Sequence, residues 1–174
     1  MDESELHTHP TLAKVWRRRG QPMRIPAAGD DHKCVIFGAL DSASGRVVYQ
    51  INARKDEDAF MTFLDELAHA FPANEPVVMV LDNASYHKSH AVQAWWRAHA
   101  EQCQPFFLPV YSPQLNLIER LWRDLKDKLA CHRWWNDLAR LQQAAQTLLT
   151  GLEVHFHATD GPAFRPPQNF RETA

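Results

Sequence analysis

Val77-Val-Met-Val-Leu81-Asp82-Asn83 is the stretch that decides the architecture. Its aliphatic run follows Pro72 and Pro76 and stops at a carboxylate. Such a run predicts a strand buried on both faces, the kind that lies between two helical layers. The flanking segments supply those layers. Residues 56–71 repeat Phe60, Phe63, Leu64, Leu67 and Phe71 at helical spacing, with Asp56 as the N-cap. Residues 89–100 set Val92, Trp95, Trp96 and His99 on one side of a second helix, and Phe106-Phe-Leu108 forms a short buried strand between Pro105 and Pro109. Upstream, 33–40 and 46–52 are rich in Val, Ile, Phe and Tyr around the turn Asp41-Ser-Ala-Ser-Gly45, which predicts an antiparallel hairpin. Downstream, Ile118, Leu121, Trp122, Leu125 and Leu129 mark a helix starting at Asn116, and 137–152 a further one. Strands alternating with helices imply a mixed α/β sheet covered on both faces. Ligands in such folds bind beyond the carboxyl ends of the strands, here after Leu81 and Leu108. The Pro-rich residues 160–174 lack periodicity and are expected to form a tail.

Composition bounds the rest. With 174 residues, 45% apolar and 23% charged, the chain has the makings of one globular domain rather than a collagenous, disordered or disulfide-stapled one. Its apolar runs are too short to span a bilayer, and the acidic opening Met1-Asp2-Glu3-Ser4-Glu5 is unlike a secretory signal. Three cysteines without a C-x-x-C pair fit reduced thiols and a cytoplasmic setting. The net charge of −2 hides two basic clusters. One is Lys14, Arg17, Arg18, Arg19 and Arg24; the other is Arg120, Arg123, Lys126, Lys128 and Arg133. Each reads either as a solvated face or as a phosphate-facing patch.

Three acids are candidates for chemistry. Asp82 is held at a strand's C-terminal end, where capping a turn is its simplest role. Glu119 lies in a helical first turn, where the macrodipole favours any acid. Asp2 stands near the terminus, where a solvated residue is the default. Together, however, three carboxylates carried by one α/β domain suit two hard divalent cations, which take oxygen ligands and keep several waters. Two such ions activate a water and stabilise the leaving oxygen of an in-line displacement at phosphorus. The histidines form no H-x-x-x-H or H-E-x-x-H pattern, and the glycine-rich nucleotide loops and the G-x-S-x-G elbow are also missing.

Three blocks occur in order: Asp2-Glu3-Ser4 followed by Trp16-Arg-Arg-Arg-Gly20; Val80-Leu-Asp82-Asn83-Ala84 with His87 and Ser89; and Tyr111-Ser-Pro-Gln-Leu-Asn116-Leu-Ile-Glu119-Arg-Leu-Trp122-Arg-Asp-Leu-Lys126. In these blocks, with 36 residues between Asp82 and Glu119, the chain resembles the catalytic domain of DDE-type transposases, in the bacterial insertion-sequence branch of the mariner superfamily. The resemblance implies a ribonuclease-H-like mixed sheet flanked by helices, with a catalytic domain over 1–159. It implies that Asp2, Asp82 and Glu119 bind two Mg²⁺ or Mn²⁺ ions, with Asn83, His87 and Asn116 in orienting roles. The activity implied is cleavage at transposon inverted repeats followed by strand transfer. Arg17, Arg18, Arg19, Arg120, Arg123 and Lys126 are then the expected DNA phosphate contacts.

Double-stranded DNA is the expected partner, bound by a homodimer and not involving a membrane. Relatives carry a helix-turn-helix region ahead of the first acid, so a separately encoded N-terminal portion is expected. Because only Met1 precedes Asp2, the sheet is expected to lack its first strand. Asn116 also suits a helix N-cap, and Trp16 and Trp122 suit core packing. The alternatives are a non-catalytic truncated fragment acting as a regulator or relic, and a host nuclease of the same fold.

Overall fold

A computed structural model describes residues 1–157 and 161–165, apart from 28, 73 and 111. Strands β1 (Asp2–His7), β2 (Lys33–Leu40) and β3 (Val47–Asn52) form an antiparallel sheet in that order. Helix α1 (Glu57–Ala70) leads to β4 (Val77–Leu81), α2 (His90–Ala98) and β5 (Cys103–Phe107), with β4 and β5 paired in parallel. Helices α3 (Ile118–Leu129) and α4 (Leu138–Thr150) follow, then a hairpin of β6 (Glu153–His157) and β7 (Gly161–Arg165). Asp56, Ser89 and Asp137 cap α1, α2 and α4 through their side chains.

β2 is apolar on both faces, which makes it the centre of the molecule. Cys34 and Ile36 join Leu6 and the inward stripes of α3 and α4 in one core. Val35 and Phe37 point the other way, into a core with Phe60, Phe63, Leu64 and Leu67 of α1, Met79 and Leu81 of β4, and Val92, Trp95 and Trp96 of α2. The period-2 alternation of one strand thus joins two helical layers.

Four expectations are corrected. The first strand is not missing: it begins at the first acid, with Asp2 opposite Gly38 and His7 opposite Lys33. Its polar composition hid a period-2 pattern in which Ser4 and Leu6 are buried. What the sheet lacks is a continuous ladder between β1 and β4, so the mixed sheet is divided in two. Second, β4 and β5 are not buried on both faces, since Val78 and Phe106 are more than half exposed. Pro105 lies inside β5, a position tolerated on an edge strand. Third, Asn116 does not cap α3 through its side chain, and Trp16 is fully exposed rather than packed, in the polar connection that carries Arg17, Arg18 and Arg19. Fourth, Gly161–Arg165 is a strand where a tail was expected. Residues 166–174 of that tail, and Tyr111 of the third motif, lie outside the described residues.

Candidate active site

Asp82 follows directly on β4, and its Oδ1 accepts a hydrogen bond from the Ala84 amide at 3.0 Å. The turn-capping role is therefore real, yet the side chain remains half exposed. Glu119 occupies the first turn of α3. Asp2 opens β1, and the residue before it is clamped from two sides. The Met1 amine donates to the Val80 carbonyl of β4 at 2.6 Å, and the Met1 carbonyl accepts from Asn116 Nδ2 at 3.1 Å. Asn116 thereby ties the approach to α3 onto the start of β1, which brings Glu119 toward Asp2.

Asp82 and Glu119 line one depression of about 390 Å³, together with Asn83, Ser112 and Asn116. Asp2 and Glu119 line a second of about 480 Å³, together with Arg123 and Lys126. Glu119 belongs to both, so the three acids adjoin across one surface. Burial pushes the Asp2 carboxyl up to about 6, reinforced by the negative charges of Glu3, Glu119 and Asp82. This is a concentration of carboxylates that repel one another. Among the described residues no three His, Cys, Asp or Glu side chains already stand close enough to enclose one ion. The donor set is nonetheless all carboxylate oxygen, the chemistry hard divalent cations select, and such ions complete their shells with water.

Sequence reasoning missed Glu3 and Lys55. The Glu3 side chain is buried and receives a hydrogen bond from His87 Nε2 at 3.0 Å, while Lys55 Nζ lies 3.1 Å from its other oxygen. The second ring nitrogen of His87 stands 3.0 Å from Asp82 Oδ1, so His87 links the carboxylates of Glu3 and Asp82. Its ring is walled by Phe60 and Tyr86, with centroids at 4.4 and 4.5 Å. Burial raises the Glu3 carboxyl, but the His87 hydrogen bond and the charges of His87 and Lys55 outweigh it and hold Glu3 below its usual range. The available signal was a carboxylate beside Asp2 on a strand, which needs a partner once buried.

The remaining candidates fall into two groups. Asn83 Nδ2 donates to the Leu108 carbonyl and joins the exits of β4 and β5. Arg120 is exposed on α3, beside Glu119. Arg17, Arg18 and Arg19 are exposed on the connection from β1 to β2 and, among the described residues, form no ion pair with the three acids.

A family description, "DDE superfamily endonuclease", matches residues 1–142. The chain belongs to this family. It is 29% identical over 151 residues to the insertion element IS630 uncharacterized 39 kDa protein of Shigella sonnei, covering 84% of this chain and 44% of that one. It is 26% identical over 102 residues to the uncharacterized protein y4pE/y4sA of Sinorhizobium fredii, covering 59% and 72%. The chain thus spans less than half the length of the first of these relatives. Among solved structures it is similar to the Mos1 strand transfer complex, with a TM-score of 0.61 and 17% identity over 81% of this chain and 43% of that one. A Mos1 mariner paired-end complex with Mn gives a TM-score of 0.60 and 16% identity over 82% and 44%. At these identities the likeness is one of fold, and the fold is ribonuclease-H-like.

Proposed function

We propose that this DDE-family domain cleaves DNA at transposon inverted repeats and joins the ends to target DNA, using divalent cations held by Asp2, Asp82 and Glu119. The convergence of three carboxylates from β1, the end of β4 and the start of α3 on one surface carries this reading. Two Mg²⁺ or Mn²⁺ ions bound there supply an activated nucleophile and charge neutralisation for in-line displacement at phosphorus. The chain's own residues do the rest. Arg123 and Lys126, in the depression shared with Asp2 and Glu119, hold backbone phosphates as point charges. His87, braced by Glu3, fixes the orientation of Asp82. Asn116 and Asn83 fix the loops that carry Glu119 and Asp82.

The proposal includes a DNA-bound homodimer, a helix-turn-helix portion that reads the inverted repeats, and a cytoplasmic location. No described helix is long and apolar enough to cross a membrane. The test is nicking of inverted-repeat DNA by the chain combined with that DNA-reading portion. Cleavage is expected to require Mg²⁺ or Mn²⁺ and to fall by about two or more orders of magnitude in Asp82→Ala and in Glu119→Ala. Equal rates in wild type and both variants would overturn the assignment.

A further inference from the structure

A further cavity, of about 690 Å³, lies at the end of α3 remote from Glu119, where the turn into α4 meets the connection from β1 to β2. The two segments are fastened together there. The Thr11 amide donates to the Ala130 carbonyl at 2.9 Å, and the His132 amide donates back to the Thr11 carbonyl at 3.0 Å. Lys128, Arg133 and Arg140 line the cavity against one acid, Asp127. Lys128 and Arg140 have no ion-pair partner among the described residues. Trp134 and Trp135 supply an aromatic wall. Trp135 is fixed, its Nε1 donating to the Leu129 carbonyl at 2.6 Å and its ring centroid lying 5.1 Å from the Arg133 guanidinium carbon. Trp134 is half-buried, belongs to neither core, and makes no side-chain hydrogen bond among the described residues. His132, also on the lining, has a left-handed backbone with φ of 57°, and both of its ring nitrogens are shielded from solvent without a hydrogen-bond partner. A non-glycine residue in that region is held there by its surroundings, and a polar ring so placed is short of a hydrogen bond.

We propose that this cavity binds a nucleotide unit, with the base stacked on Trp134 and the phosphate held by Lys128 and Arg140. Each wall selects part of that ligand. The indole offers a flat π-face to any base, and the two unpaired cations suit a phosphate. The Asn136 amide and the His132 ring offer hydrogen bonds to a base edge. A bare phosphate would leave the indole unused, and an apolar ligand would leave the cations unused. The cavity is also of the size that encloses a ligand larger than one ion. Stacking on Trp134 needs a base outside the double helix, so the source is an unpaired stretch of DNA strand or a free nucleotide, not an intact duplex. Nine residues of α3 separate Lys128 from Glu119, about 13 Å along the helix axis, so this site is distinct from the three acids. It goes beyond the nuclease reading and does not depend on it: binding is measured without a divalent metal, so the failure of one is distinguishable from the failure of the other.

The probes are a fluorescein-labelled single strand of eight thymidines and free thymidine monophosphate, each titrated into the 174-residue chain in EDTA. Anisotropy reads the first and tryptophan quenching the second. Trp134→Ala is expected to weaken binding about tenfold, and Trp134→Phe to restore most of it, because a ring of either kind stacks. Lys128→Gln with Arg140→Gln, both on the surface of the turn and helix ends, is expected to lower the slope of log affinity against log salt by about 1.4 for a single strand. Binding of the oligonucleotide alone identifies the source as a strand, and binding of both probes admits the free nucleotide. Failure of both probes to bind would overturn the proposal. So would unchanged affinity in Trp134→Ala with an unaltered melting temperature, or an unchanged salt slope in the double variant.

Discussion

Asp2 carries a stability penalty of calculable sign. Its folded pKa of about 6 lies above the ordinary 3.8, so the folded state keeps this proton to higher pH than the unfolded chain. Stability from this group is therefore present below about pH 4, is lost as pH rises to about 6, and stays lost above that. The shift of about two units corresponds to roughly 3 kcal/mol as an order of magnitude. In thermal melts of the metal-free chain at pH 7.5, Asp2→Asn is expected to raise the melting temperature while abolishing cleavage. Mg²⁺ is expected to stabilise the wild type more at pH 7.5 than at pH 4.5, and Asp2→Asn much less at either. Glu3 has the opposite sign: its lowered carboxyl contributes stability above its usual range that is lost in acid. His87→Ala deprives Glu3 of its hydrogen bond and is expected to cost about 1–3 kcal/mol in denaturant titrations. It is also expected to slow cleavage, because Asp82 loses its brace.

At the scale of elements, Gly38 is a point of close approach between β2 and α3. A Cβ there would lie 2.5 Å from the Trp122 ring and 3.2 Å from Ile118 Cδ1. Trp122 is buried and belongs to the helix that presents Glu119, so it has little room to withdraw. Gly38→Ala is expected to destabilise the chain by about 1–3 kcal/mol in denaturant titrations and to lower cleavage by displacing α3. The helices were legible to within a few residues because their apolar stripes and caps are local signals. β1 was not, since its buried side chains are mostly polar, Glu3 and Ser4 beside Leu6, and its partner strand lies some thirty residues on. β4 misled in the opposite direction. Five aliphatics in a row read alike whether both faces of the strand are covered or one leaves Val78 exposed. Likewise the three acids could be proposed from motif and spacing, whereas the pairing of Glu3 with His87 joins residues 84 apart and leaves no local pattern.

For the whole molecule, the near-neutral total of −2 conceals a division of labour. The acids converge on one surface, and Arg123 and Lys126 stand beside them. If these two side chains hold phosphates, replacing both with alanine reduces the slope of log affinity against log salt by about 2 and weakens binding uniformly across DNA sequences. Fluorescence anisotropy over a salt series checks this, and an unchanged slope would remove them from the interface. The same comparison with Arg17, Arg18 and Arg19 replaced measures whether the exposed β1–β2 connection reaches the duplex.

The clasp between Met1 and Asn116 joins residues 115 positions apart. On a ribosome adding about 5–20 residues per second, the first aspartate emerges roughly 6–23 s before the asparagine that anchors its neighbour has been made. Nascent chains therefore lack at least one of the three proposed ligands until α3 is made, and a message broken before α3 yields a polypeptide without Glu119.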